Sequence, residues 1–275
     1  MTLLKECSSL SEDLEVSVGA SLKLSVSSTL PHGSGLGTSS IMAGALLQAI
    51  GTVLGRPYTE SQLVHAVLIL EQLLTTGGGW QDQVGGIIAG AKIARCKAEL
   101  PLHVTFETLD LPLNFQEVLA DRMVLIFTGQ SRLARNVLHE VLRRWWSKVP
   151  ATMEAAQELV VLAERCALAL QSGDLNGISD CVNRYWELKK AMGGSSVDPP
   201  IVRSLMEKLR SSALAMSLCG AGGGGFLLVV TNKSGAYETV RSLLEEDPDA
   251  CHMTLHRASI ANEGLKVLIG ANTGD

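Results

Sequence analysis

Apolar and polar positions alternate along residues 20–28, which predicts a strand. A glycine-rich segment follows, Pro31-His32-Gly33-Ser34-Gly35-Leu36-Gly37-Thr38-Ser39-Ser40, and then an apolar helical run over 41–54. After the break at Gly55-Arg56-Pro57, Thr59 and Gln62 have capping-box spacing and open a second helix. Its apolar stripe is Leu63, Val64, Val67, Leu70 and Leu74, and Glu71 falls on that stripe. Residues 102–109 alternate as a strand that could pair with 87–94, and 122–128 read as a short apolar strand. Helical periodicity then covers about 132–148, 151–171 and 175–192. Asp198 is placed to cap a helix that starts at Pro199-Pro200. Strands are expected at 213–219, 226–230, 252–256 and 265–269, with a helix over 234–246. This half predicts an α+β layer with an antiparallel sheet.

Strand, glycine-rich loop and helix in that order suit an anion. Glycine lets backbone N–H groups approach closely, and a helix N-terminus adds unpaired donors. The glycines at 33, 35 and 37 fit neither the Walker loop nor the dinucleotide fingerprint. A capped turn uses the same residue types, so turn and phosphate cradle both remain open on the loop alone.

Two acids stand out. A carboxylate at Glu71 loses water on a buried helix face and meets the negative end of the dipole, so it requires a cation, either a metal or an Arg or Lys partner. Asp82 lies in Gly77-Gly78-Gly79-Trp80-Gln81-Asp82-Gln83-Val84-Gly85-Gly86, where five glycines surround one acid. It could cap a short helix or act as a general base. Two such carboxylates near a phosphate loop suit phosphoryl transfer, one holding Mg²⁺ and the other the acceptor hydroxyl. Trp145, Trp146, Tyr185 and Trp186 read as helix packing, with sugar stacking as the minority use. Arg132 and Arg135 could reach substrate or serve surface ion pairs.

Composition narrows the class. The chain has 275 residues, 46% hydrophobic and only 4% aromatic, so its core is aliphatic and one large or two modest domains are expected. A net charge of -5 argues against a nucleic-acid surface. Six scattered cysteines without a C-x-x-C pair predict plain thiols in a reduced, cytoplasmic compartment. The apolar stretch 213–230 holds four consecutive glycines and reads as strand, turn and strand; no membrane partner is expected. Oligomeric state is not readable.

Three segments together resemble the GHMP kinases. That family's P-x-G-x-G-L-G-S-S motif is matched by Pro31 to Ser39, with Thr38 for the first Ser, and its G-A-G-G-G-G loop by Gly220-Ala221-Gly222-Gly223-Gly224-Gly225. The segment 70–83 is similar to the L-fucokinase branch, with heptose-phosphate kinases as near relatives. The resemblance implies a two-domain α+β GHMP kinase fold. A ribosomal S5 domain 2-like α/β domain would occupy 1–110, and a ferredoxin-like α+β domain 111–275. It implies ATP phosphates held by Pro31, Gly33, Ser34, Gly35, Leu36, Gly37, Thr38, Ser39 and Ser40. Gly220, Ala221, Gly222, Gly223 and Gly224 would close over them. Mg²⁺ falls to Ser39 and Glu71, and the catalytic aspartate to Asp82. The implied reaction phosphorylates the anomeric hydroxyl of L-fucose, a small-molecule sugar, in the salvage route to GDP-fucose. The family's upstream G-R-x-D-L motif has no match in the 30 residues before Pro31. A truncated N-terminal domain with weak or no activity alone is therefore expected. A heptose-phosphate kinase and a catalytically dead nucleotide-binding remnant are the competing readings.

Overall fold

The computed structural model describes residues 23–31, 33–74, 77–130 and 134–270, and leaves the side chains of 134–136 out. Three helices stand together near the start: α1 (Thr38–Val53), α2 (Glu60–Leu73) and α3 (Gln81–Ile87). The α2 entry is the expected capping box, in which the Thr59 side chain accepts from the Gln62 amide and the Gln62 side chain accepts from the Thr59 amide. Leu63, Val64 and Val67 of α2 pack against Val84 and Ile87 of α3. Burying each such aliphatic side chain contributes about 1.5–3 kcal/mol. Gly44 makes the α1–α3 approach possible, since a methyl there would lie 3.0 Å from Ile87 Cδ1.

The hairpin β1 (Lys92–Cys96) and β2 (Val104–Thr108) pairs antiparallel, Ala94 opposite Phe106. The pairing lies later in the chain than 87–94, because α3 uses the residues up to Ile87.

The rest is α4 (Phe115–Arg122), β3 (Met123–Phe127), α5 (Ala134–Trp146), α6 (Pro150–Ser172), α7 (Leu175–Gly193), α8 (Pro200–Leu209), β4 (Ala213–Leu218), β5 (Phe226–Thr231), α9 (Ala236–Glu245) and β6 (Thr254–Arg257). The four strands form one antiparallel sheet in the order β4-β5-β3-β6. Val124 sits opposite Val229 and Ile126 opposite Leu227, which sets an apolar face. Val202, Leu205 and Leu209 of α8 and Val240 of α9 complete that core. The α6–α7 pair turns at Gly173, and Asp174 caps α7 by accepting from the Gly177 amide at 3.0 Å. Asn183 then ties α7 to β4, donating to the Leu214 carbonyl and accepting from the Met216 amide.

Four sequence expectations need correction. Residues 23–28 form no strand, and Leu24 and Val26 are exposed; alternation makes a strand only where a neighbour takes its hydrogen bonds. Residues 265–269 form none either: Leu265 donates once, to the Ile87 carbonyl, while Leu268 and Ile269 lie open. Trp146 is 82% exposed at the end of α5 rather than packed between helices, and Trp145 is also exposed. Asp198 does not cap α8, whose N-cap is Pro199; its Oδ1 is buried without a hydrogen-bond partner.

Among the described residues no helix is long and apolar enough to cross a membrane. Cys96, Cys166, Cys181, Cys219 and Cys251 are free thiols; Cys7 lies outside the described residues.

Candidate active site

The loop of 33–37 turns through positive φ at Gly33, Gly35 and Gly37, and Gly37 is the left-handed N-cap of α1. No side chain caps α1. The first donors of a helix that point out of such a loop carry partial positive charge and suit a phosphate. The loop is held open from within. Ser34 is buried, its Oγ accepts from the Leu36 amide at 3.3 Å, and it lies 3.1 Å from Thr38 Oγ1. Pro31 and Leu36 are half-buried at its edges.

Glu71 does lie on the buried face of α2, 7% exposed, as the period predicts. Ser39 Oγ and Ser40 Oγ each donate to its Oε1 at 2.9 Å, and Gln83 Nε2 donates to its Oε2 at 2.7 Å. Hydrogen bonds to a charged group are worth about 1.5–3 kcal/mol each, enough to offset much of the desolvation. Gln83 is a residue the sequence reading missed. It is fully buried, and its Oε1 has no partner. Its amide cannot turn over without setting Oε1 against the carboxylate, so the orphaned oxygen is fixed beside Glu71.

Asp82 sits in the first turn of α3, whose N-cap is Trp80, so it is not a cap. It faces the 33–37 loop: a methyl at Gly37 would lie 3.1 Å from Asp82 Cβ. Burial raises its carboxyl above the usual 3.8, the Glu71 charge adds to that, and Lys189 opposes it. A buried carboxylate with a raised pKa accepts a proton more readily than a solvated one.

The 220–225 loop joins β4 to β5 and closes onto the same place. A methyl at Gly35 would lie 2.9 Å from the Cys219 carbonyl oxygen, and one at Gly220 would lie 2.8 Å from Gly35 Cα. The Phe226 amide donates to the Ser34 carbonyl at 3.0 Å. Thr128, fully buried, fixes the other side by donating through Oγ1 to the Gly225 carbonyl at 2.9 Å. The structure thus brings the 33–40 loop, Glu71, Asp82 and Gly220-Ala221-Gly222-Gly223-Gly224 together. Arg132 lies outside the described residues, as does the Arg135 side chain.

Ser39 Oγ and Glu71 Oε1 offer two hard oxygens side by side, and among the described residues no cluster of three or more His, Cys, Asp or Glu could cage a metal. That donor set fits Mg²⁺, which takes one or two protein oxygens and completes its shell with substrate phosphates and water.

The pattern of the GHMP kinases N terminal domain matches residues 3–90, and that of the GHMP kinases C terminal domain matches 166–249. The chain is 31% identical over 259 residues to an L-fucokinase/L-fucose-1-P guanylyltransferase of Bacteroides fragilis, covering 94% of this chain and 27% of that protein. It is 32% identical over 221 residues to a bifunctional fucokinase/GDP-fucose pyrophosphorylase of Arabidopsis thaliana, covering 79% of this chain and 20% of that one. The chain therefore spans about a quarter of the length of these relatives. Among solved structures, a Lactococcus lactis galactokinase complexed with galactose superposes with a TM-score of 0.65 at 15% identity, over 86% of this chain and 69% of that one. Two domain patterns matched in order, together with this fold, lead to one conclusion: the chain belongs to the GHMP kinase family.

Proposed function

We propose that this chain is the catalytic part of a sugar kinase that moves the γ-phosphoryl group of ATP to the anomeric hydroxyl of L-fucose. The observation that carries the reading is the approach of Asp82 to the N-terminus of α1: a methyl at Gly37 would lie 3.1 Å from Asp82 Cβ and 3.4 Å from its Cγ. Relatives named as fucokinases at 31% and 32% identity supply the sugar class. The division into domains near residue 110 belongs to the same proposal.

The mechanism follows from the residues. Backbone N–H groups of the 33–40 loop hold the phosphates at the positive end of α1. Ser39 and Glu71 would hold Mg²⁺, which when bound would offset charge on the phosphoryl oxygens. Asp82 holds the sugar hydroxyl in line and takes its proton as the new O–P bond forms. The bond from the γ-phosphorus to the bridging oxygen breaks, and ADP leaves with that oxygen. The 220–225 loop, packed on Gly35, excludes water from the transfer.

The test is a substrate profile with ATP and Mg²⁺, read by ³¹P NMR. Transfer to L-fucose giving a 1-phosphate, however slow, is the expected result. Transfer to a heptose phosphate but not to L-fucose moves the chain to the competing sugar class. Absence of any phosphorylated sugar overturns the reading of an active kinase and leaves the catalytically dead nucleotide-binding remnant.

A further inference from the structure

One buried charge has no part in that mechanism. Lys189, on α7, is 8% exposed. Its Nζ donates to the Leu218 carbonyl at 2.6 Å, and it lies 5.1 Å from the centre of the Tyr185 ring and 5.8 Å from that of Trp186. A buried ammonium is costly unless something in its surroundings uses the charge. One neutral carbonyl and two ring faces only partly repay that cost. Lys189 is held at about 8, below its ordinary 10.5, first by burial, against the opposing pull of Cys219 and Asp82.

Its position explains the expense. Leu218 is the last residue of β4 before the glycine loop, so the bond from Nζ fixes the point at which that loop leaves the sheet. A methyl at Gly222 would lie 3.4 Å from Lys189 Cε, so the loop rests on the lysine stem. Its charge also lowers the Asp82 carboxyl, against the upward effects of burial and Glu71.

We infer that Lys189 is a positioning residue: from beneath the 220–225 loop its ammonium holds the root of that loop in register with the 33–37 loop it closes on. The glycine loop, with its positive φ angles, needs an anchor at its root. One side chain from α7 meets that need through the Leu218 carbonyl and the Gly222 contact.

The anchor rests on geometry alone; its effect on turnover rests on the kinase reading. Two measurements keep these apart. The first is amide hydrogen exchange of residues 219–225 in the free chain, wild type against Lys189→Met. Lys189→Met speeds exchange of the Gly223 and Gly225 amides and leaves that of β5 unchanged. Unchanged loop exchange overturns the anchor. The second is turnover. Lys189→Ala lowers kcat about 10²-fold with ATP affinity unchanged, the scale expected when reacting groups shift by about an ångström. Added propylammonium restores rate, while 1-propanol does not. A purely structural lysine gives a fall in stability without amine rescue, and that result overturns the inference. If loop exchange rises in the variant and the wild-type chain transfers no phosphate, the anchor stands and the kinase reading falls.

Discussion

In the 33–40 loop, glycine leads into a helix, and the first N–H groups of α1 have no side-chain cap. In the 220–225 loop two amides are already committed: Gly223 donates to the Val197 carbonyl at 2.8 Å and Gly225 to the Gln130 carbonyl at 2.7 Å. The crowding differs as well. Gly33, Gly35 and Gly37 all turn through positive φ, and of the last two Gly35 meets backbone, the Cys219 carbonyl, while Gly37 meets the Asp82 side chain; at Gly220, Gly224 and Gly225 an added methyl would meet backbone at 2.8 Å or less. One loop uses glycine to present donors; the other uses it to let strand, phosphate loop and α7 close on one another. A glycine-rich stretch is therefore not a phosphate site by composition. What separates the two is where the loop leads: into a helix N-terminus without a side-chain cap in one, between two paired strands in the other.

Gly225→Ala should have the largest effect. Its φ is 84° and a methyl there would strike the Ser34 carbonyl, so the loops must part. Strain of this kind costs about 1–3 kcal/mol before the clash is counted. Differential scanning calorimetry should show a lower unfolding midpoint together with lost nucleotide binding. Gly37→Ala sharpens the contrast. The methyl would press on Asp82 Cβ at 3.1 Å, so ATP affinity and turnover should both fall, read by calorimetric titration and steady-state rates.

Gln83→Met probes the donor loop from behind. It removes the amide that orients Glu71 and the orphaned Oε1 beside it. Losing a partner one shell behind a metal ligand typically costs 10–100-fold in affinity. Mn²⁺ binding followed by electron paramagnetic resonance should weaken by about that factor, with metal-free nucleotide binding unchanged.

The pH profile should separate the two sides of the site. Turnover requires an ionised Asp82, raised above 3.8 by burial and then by Glu71, so the acid limb lies above the usual aspartate range. It also requires charged Lys189, so the rate falls above about pH 8. Stability moves the other way on the alkaline side. Between about 8 and 10.5 the unfolded chain keeps a proton that the folded chain has released from Lys189, so the burial penalty is relieved as pH rises. Buried Cys219 and Cys166, pushed up from 9.0 to about 11, and Tyr185, pushed up from 10.0 to about 12, act in the opposite sense: from about pH 9 the unfolded chain loses protons that the folded chain keeps, so the gain from Lys189 is confined to about pH 8–9.

The smallest effect is a control. Gly85, in α3, has nothing within 4 Å of an added methyl and no positive φ. Gly85→Ala should stabilise by about 0.5–1 kcal/mol through helix propensity, leaving both loops untouched.

Much of this was legible in the chain. Helical period put Glu71 on the buried face of α2, and three alternating glycines before hydroxyl residues marked the loop. The donors on Glu71 were only half legible. Ser39 and Ser40 lie in the motif, but Gln83 is an amide in a glycine-rich segment, and nothing in its spacing says which way it points. Lys189 was hidden for a related reason. It lies in an amphipathic helix with an adjacent Lys190, and period alone does not tell a snorkelling lysine from a buried one. The strands expected at 20–28 and 265–269 fail on a different ground. Alternation is local, whereas a strand needs a partner, and of the described residues there none pairs with a neighbouring strand.

The central claim is that Asp82 serves the transfer while the 33–40 loop binds the nucleotide. It is tested most directly by Asp82→Asn, following L-fucose 1-phosphate by ³¹P NMR and ATP binding by calorimetric titration in the same samples. Loss of product by about 10²–10⁴-fold with ATP affinity retained is the predicted result. Product formation that survives the substitution contradicts the account.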